Sequence, residues 1–377
     1  MPEGPAALPD DFVTPAVAGL MPYEPGKPVE EVQRELGLER VVKLGSNEGT
    51  LGPFPEALAA IERSAPQFNR YPDGGAYRLR AALAEKHDVQ FEEIAVGAGA
   101  DGVIDGLSQA VLDPGDEIVC GWPSFPSYVI DALKLGANAV RVPLRDHRYD
   151  LDALLDAVMP RTKLVYVCHP NNPTGTMNTR AELDSYFERV PDQVVTVLDQ
   201  AYFEYIDDPD YADGIEEYFK RGRNVIVLRT FSKIYGLAGL RVGYGVAAAD
   251  LVTELGKTRR AFDLTTPAQE AALVSLDNPA ELARRRESTA GGREEVERIL
   301  RGAGYDVVSG AVGNFVFADV AEDARRVFDA LLRHGVIVRP LGGFGAPTAI
   351  RVTVGTPDEH GLLAQALARV GTAAAAS

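Results

Sequence analysis

Of 377 residues, two are cysteine and one is tryptophan. Cys120 and Cys168 cannot build a disulfide framework, and neither has metal-type spacing to the five histidines, so no metal site is expected. Each ends an apolar run, the usual setting of a buried free thiol, and free thiols fit a reducing cytoplasm. Long apolar runs are also missing. No stretch reaches the roughly 18 residues that a membrane helix needs, so no span is expected. The opening MPEGPAALPDDF has neither the basic start nor the apolar stretch of a secretory leader. Positive charge is scarce: 38 Lys and Arg stand against 55 Asp and Glu, a formal net charge of −17. That excess repels nucleic-acid phosphates and anionic membranes, and neither is an expected partner. An anionic ligand would need a local cationic pocket.

Hydrophobic residues are plentiful, at 46%. A chain of this length predicts two domains. Residues 1–50 read as an arm plus part of a smaller domain, since MPYEPGKP (21–28) has three prolines in eight residues and suits neither a helix nor a central strand. A helix over 29–38 follows. Residues 51–265 alternate helical stretches (54–64, 75–87, 101–112, 125–136, 150–158, 179–189, 213–222) with short apolar runs. The runs are IAVG, EIVCG, AVRVP, KLVYVC, VVTVLD, VIVLR and RVGYGVA, about seven strands buried on both faces. This α/β pattern predicts a mostly parallel sheet. Residues 266–377 change character, with one long charged helix over 267–303, then half-polar strands and a last helix from 357. They read as a smaller α+β domain.

The densest chemistry lies in RTFSKIYGLAGLRVGYG (229–245). A strand ends at Thr230 and Ser232, Lys233 follows, and Arg241 comes eight residues later among glycines. Hydroxyls on glycine-rich backbone with an arginine can cradle a phosphate. A lysine beside another cation is suited to imine chemistry. A plain loop with an exposed lysine fits the same window. In VVTVLDQAYFEY, Asp199 stands where a buried strand emerges, and Tyr202 is three residues on. Such a carboxylate can hold a pyridine nitrogen protonated, or simply cap a helix. CHPNNPTGTM places Asn172 in a fixed turn, able to donate to an aromatic oxygen or to no ligand at all. VGAGADG offers the free N–H groups of a helix start near Ala100 and Asp101. Phe125, in WPSFPSY, can stack on a flat ring or pack in the core. Arg339 and Arg351 sit on otherwise apolar strands, where a guanidinium needs an anion or an internal partner.

In this order and spacing the segments resemble the fold-type I aminotransferases, within them the histidinol-phosphate aminotransferase group. PYEPGKP, SNEGTLGPFP, RYPDGGAYRLRAALA, GAGADG, HPNNPTG, LDQAYFEY, RTFSKIYGLAGLRVGY and IRVTVGTPDEH carry the resemblance over residues 20–360. It implies an aspartate-aminotransferase-like fold and pyridoxal 5'-phosphate as cofactor. Lys233 would carry that cofactor as an imine and move the substrate proton. Asp199 would face the ring nitrogen, Tyr202 and Asn172 the ring oxygen, and Phe125 the ring face. Thr230, Ser232, Arg241 and the backbone at Ala100 and Asp101 would hold the phosphate. Tyr71 would reach it from a second subunit, which implies a homodimer with shared sites. Tyr23, Arg339 and Arg351 would meet the substrate. The implied reaction moves an amino group between histidinol phosphate and 2-oxoglutarate. The sequence departs from the family pattern with SNEGTLGP for N-E-N-P-L-G-P, DQAY for D-E-A-Y and GAGADG for G-x-G-S-D-E. Other readings stand beside it: an aromatic (phenylalanine) aminotransferase, a decarboxylase or lyase on the same cofactor, and a non-catalytic binding module.

Overall fold

The computed structural model describes residues 9, 12–20 and 26–375. Its strands are β1 (Val42–Lys43), β2 (Ile94–Gly97), β3 (Glu117–Trp122), β4 (Asn138–Pro143), β5 (Thr162–Cys168), β6 (Val195–Asp199), β7 (Val225–Thr230), β8 (Gly243–Val246), β9 (Asp306–Val307), β10 (Phe315–Asp319), β11 (Val336–Ile337), β12 (Arg339–Pro340) and β13 (Ala349–Thr353). Seven of them form one sheet in the order β2-β8-β7-β6-β5-β3-β4. Every pairing from β7 to β4 is parallel, and β8 alone runs backwards between β7 and β2. The apolar runs explain this arrangement. The residues of β7 are all buried, as are those of β8, because helices cover both faces. The expected α/β class and seven-stranded sheet are therefore present.

The helices start where local chemistry allows. Thr179 and Glu182 form a reciprocal capping box for Arg180–Arg189, satisfying two otherwise unpaired N–H groups. The long helix expected over 267–303 is broken in two, Thr266–Ser275 and Pro279–Gly302. Pro279 has no N–H to continue the first helix, and Asn278 caps the second through the Glu281 amide. The helix expected over 213–222 is a single π turn, Ile215–Phe219.

Two main apolar cores result. The larger surrounds the seven-stranded sheet and includes Ala268, Ala271, Ala272 and Leu276. The helix Thr266–Ser275 thus buries its apolar face on the larger core. The smaller core joins Val32, Val42 and Leu44 near the N-terminus to Val316, Phe328, Ile350 and Leu363. There β12, β13, β10 and β9 form an antiparallel sheet, and β1 pairs with β11. Among the described residues, no helix is long and apolar enough to cross a membrane.

Candidate active site

The carboxyl ends of β2, β3, β5, β6 and β7 share one sheet edge, where loops rather than ladder partners fill the space. β8 runs the other way, so its first residue arrives at that edge, with Gly243 opposite both Thr230 and Gly97. Thr230 Oγ1 lies 3.1 Å from Ser232 Oγ and accepts a bond from the Ser232 amide at 3.2 Å. Arg241 leaves its loop in the left-handed region, at φ 52°. Its Nη1 lies 3.4 Å from Ser232 Oγ and its Nη2 3.4 Å from the Ala98 carbonyl. Facing them, the helix Gly99–Val111 begins with Ala100 and Asp101. A Cβ on Gly243 would fall 2.3 Å from the Ala100 nitrogen, so only glycine allows this approach. Hydroxyls, a guanidinium and a helix N-terminus thus converge, a donor set suited to a dianionic phosphate.

The middle of the edge is aromatic and acidic. Asp199 ends β6 and is buried. Its Oδ2 accepts from the Tyr128 hydroxyl at 2.5 Å, and its Oδ1 from the Ala201 amide at 3.0 Å. Burial pushes the Asp199 carboxyl up, while the Tyr128 phenol and the Ala201 amide hold it down. Tyr128 was not singled out by sequence reasoning. The available signal was its place on the helix Pro126–Lys134, three residues after Phe125, where a polar tip on a buried ring needs a partner. Its ring stacks on Tyr166 at 4.3 Å and meets Phe125 edge-on at 5.5 Å. The Tyr202 hydroxyl accepts from Asn47 Nδ2 at 2.9 Å, and Asn47 Oδ1 accepts from Thr353 Oγ1 at 3.1 Å. Asn47 is a second residue the sequence did not flag by itself, although it lies in SNEGTLGP.

Lys233 lies between these groups, its Nζ 5.3 Å from the Tyr202 ring centroid. Burial, then the nearby Arg351 and Arg241 charges, lower its amine from 10.5 to about 8. A neutral amine at moderate pH is what nucleophilic attack on an aldehyde requires.

The far side comes from the small core. Register places Arg339 of β12 directly opposite Arg351 of β13. Both guanidinium groups lie against Phe344, at 5.5 and 5.4 Å from its centroid. Arg351 is 4% exposed; it donates to the Gly45 carbonyl at 2.9 Å and to Asn172 Oδ1. Asn172 therefore bridges the large sheet and the small-core arginine. Like charges directly across a ladder repel, a cost that an anionic ligand would offset. Tyr71 is 81% exposed and stacks on Phe262 at 4.5 Å. Tyr23 lies outside the described residues.

The DQAY departure has a local reason. Gln200 Oε1 accepts from Arg229 Nη2 at 2.9 Å, and Gln200 Nε2 donates to the Ala212 carbonyl at 2.8 Å. Asp213, also 2.9 Å from Arg229 Nη2, supplies the negative charge that this buried guanidinium needs.

Comparison with known proteins agrees with this geometry. The profile of the family described as aminotransferase class I and II matches residues 39–367. A histidinol-phosphate aminotransferase from Moorella thermoacetica is 44% identical over 356 residues, 94% of this chain and 92% of the relative. The crystal structure of a histidinol-phosphate aminotransferase from Sinorhizobium meliloti, in complex with pyridoxal-5'-phosphate, superposes with a TM-score of 0.88 at 31% identity, covering 96% of this chain and 98% of the other. A double mutant of the Thermus thermophilus aspartate aminotransferase gives 0.82 at 25% identity, over 96% and 99% of the two chains. With the fold, the lysine-bearing edge and the profile in agreement, the chain belongs to the class I and II aminotransferases, pyridoxal-phosphate enzymes of fold type I.

Proposed function

We propose that this enzyme exchanges an amino group between histidinol phosphate and 2-oxoglutarate, with pyridoxal 5'-phosphate held on Lys233. The observation that carries the reading is the Lys233 amine, lowered to about 8, placed between a buried carboxylate and a phosphate-type cradle. Bound there, the cofactor supplies an aldehyde to hold the amino group and a ring to take up the electron pair released at the substrate Cα. The chain's residues do the rest. Thr230, Ser232, Arg241 and the amides of Ala100 and Asp101 grip the phosphate. Asp199 would accept a hydrogen bond from the ring nitrogen and keep it protonated, and Tyr128 keeps that carboxylate oriented. Asn172 and Tyr202 bind the ring oxygen, and Phe125 covers one ring face. Lys233, whose lowered pKa leaves a share of it neutral near pH 8, would take the Cα proton and return it to the cofactor's aldehyde carbon. Arg351 and Arg339 receive the anionic end of the substrate, and Tyr23 is a further substrate contact. Two cationic forks can take a carboxylate or a phosphate in turn, as two successive half-reactions require.

Further parts of the reading concern the whole molecule. Residues 51–265, extended by the helix Thr266–Ser275, act as the cofactor domain; the remainder forms the substrate domain. A second copy completes the site, its Tyr71 reaching the phosphate. The stacked Tyr71 and Phe262 rings, both exposed, support a protein interface there. Two buried free cysteines and biosynthetic relatives support a cytoplasmic location.

The deciding experiment compares turnover of histidinol phosphate and phenylalanine, each with 2-oxoglutarate. We expect at least tenfold higher kcat/KM for histidinol phosphate. A tenfold preference for phenylalanine would replace this substrate assignment by the aromatic one, and carbon dioxide release would replace transamination itself.

A further inference from the structure

The loop after Lys233 is fastened from outside the cofactor sheet. Arg285 projects from the helix Pro279–Gly302 and is 3% exposed. Its Nη1 donates to the Ile234 carbonyl at 2.8 Å and to the Gly52 carbonyl at 2.6 Å. Its Nε donates to Glu281 at 2.8 Å, and its Cζ lies 4.3 Å from the centroid of the buried Phe54 ring. Ile234 follows Lys233 in the chain. Gly52 lies five residues after Asn47, the donor to Tyr202. The two loops touch: a Cβ on Gly236, whose φ is 72°, would fall 2.0 Å from the Gly52 oxygen.

We infer that Arg285 is a positioning residue that clamps the lysine loop and the Gly52 loop together and ties both to the helix leading into the smaller core. A buried guanidinium is costly unless its donors are used; here they hold main-chain oxygens, which a substitution elsewhere cannot replace. The clamp touches neither substrate nor cofactor. It acts on Lys233 through one peptide unit, limiting how far the amine wanders from its point of attack, where displacements of about 1 Å are costly. The helix that carries it also places Arg286 Nε 3.0 Å from the Glu204 carbonyl, so two successive arginines fasten one helix to the loops of the cofactor sheet.

This inference rests on the aminotransferase reading for its kinetic consequence, but its structural part is tested without substrate. Amide hydrogen exchange would be followed on the cofactor-loaded enzyme and on Arg285→Met. The amides of Gly52, Gly236 and Leu237 are hydrogen-bonded within these loops, at 3.2, 3.0 and 3.1 Å. We expect their segments to exchange at least tenfold faster in the variant, with strands β5 to β7 unchanged. With histidinol phosphate we expect kcat to fall about tenfold and KM to stay within twofold, because no substrate contact is lost. Arg285→Lys keeps the charge and at least one donor, and should recover half or more of the lost kcat. Unchanged exchange in both loops would overturn the inference, as would faster exchange spread over the whole protein. If Arg285→Met does not fold, Arg285→Gln, which removes the charge and the guanidinium fork, is read in its place by the same exchange criterion. Failure of the substrate assignment would leave the exchange pattern intact, so the two failures are distinguishable.

Discussion

The two ends of the cleft are built by different means. The proposed phosphate end uses neighbouring residues of one segment, Thr230 to Gly243, against one helix start. The proposed substrate end uses side chains from two antiparallel strands, brought opposite each other by register and leaning on Phe344. A rigid local cradle suits a group that stays through every cycle. Long side chains on a separate core suit groups that must enter and leave. Asn172, whose Oδ1 accepts from Arg351, is where the two halves meet.

The comparison can be broken or sharpened by substitution. Lys233→Ala should lower kcat about ten-thousandfold, the upper range for a lost proton-transferring group; steady-state rates within a hundredfold of wild type would remove Lys233 from the mechanism. Arg351→Ala should lower kcat/KM about ten- to hundredfold, matching about 1.5–3 kcal/mol for hydrogen bonds to a charged group, with a smaller loss for Arg339→Ala. Both losses should appear in KM for both substrates while cofactor affinity stays level. Gly243→Ala should do the reverse. Overpacking costs about 1–3 kcal/mol, so cofactor titration should show about tenfold weaker binding, with KM little changed in the loaded fraction. Acidity gives a gentler test. An amine attacks only when neutral, so reaction of cofactor-free protein with an aldehyde should rise with pH and level off above about 8, instead of climbing toward 10.5. A midpoint near 10.5 would mean that the amine is hydrated and the cleft open. The smallest change belongs to Gln200→Glu. It gains charge against Arg229 but loses the donor to Ala212, so stability should move by less than about 1 kcal/mol in thermal melts, with activity within twofold.

The same division explains what could be read from the chain alone. The LVYVC run of β5 declares itself because burial on both faces leaves it unbroken and apolar. Thr230, Ser232, Lys233 and Arg241 are legible because local backbone brings them together. Tyr128 and Asn47 were missed because their partners, Asp199 and Tyr202, are distant in sequence and supplied by packing. The opposition of Arg339 to Arg351 depends on strand register, which two short strands do not announce. Arg285 lies within a long charged stretch whose sequence does not mark which arginine the fold aims inward. The break at Asn278 and Pro279 was visible in principle, since a cap followed by proline marks a helix start.

The reversed strand β8 has a last consequence. The residues from 231 to 242 form a closed loop, pinned by the Thr230–Gly243 pair and by the Phe231 amide on the Val242 carbonyl at 3.1 Å. The amine and the guanidinium that would grip opposite ends of the same cofactor ride on this single hydrogen-bonded loop. Their spacing is set like the jaws of one calliper, independently of the two strands that carry Arg339 and Arg351.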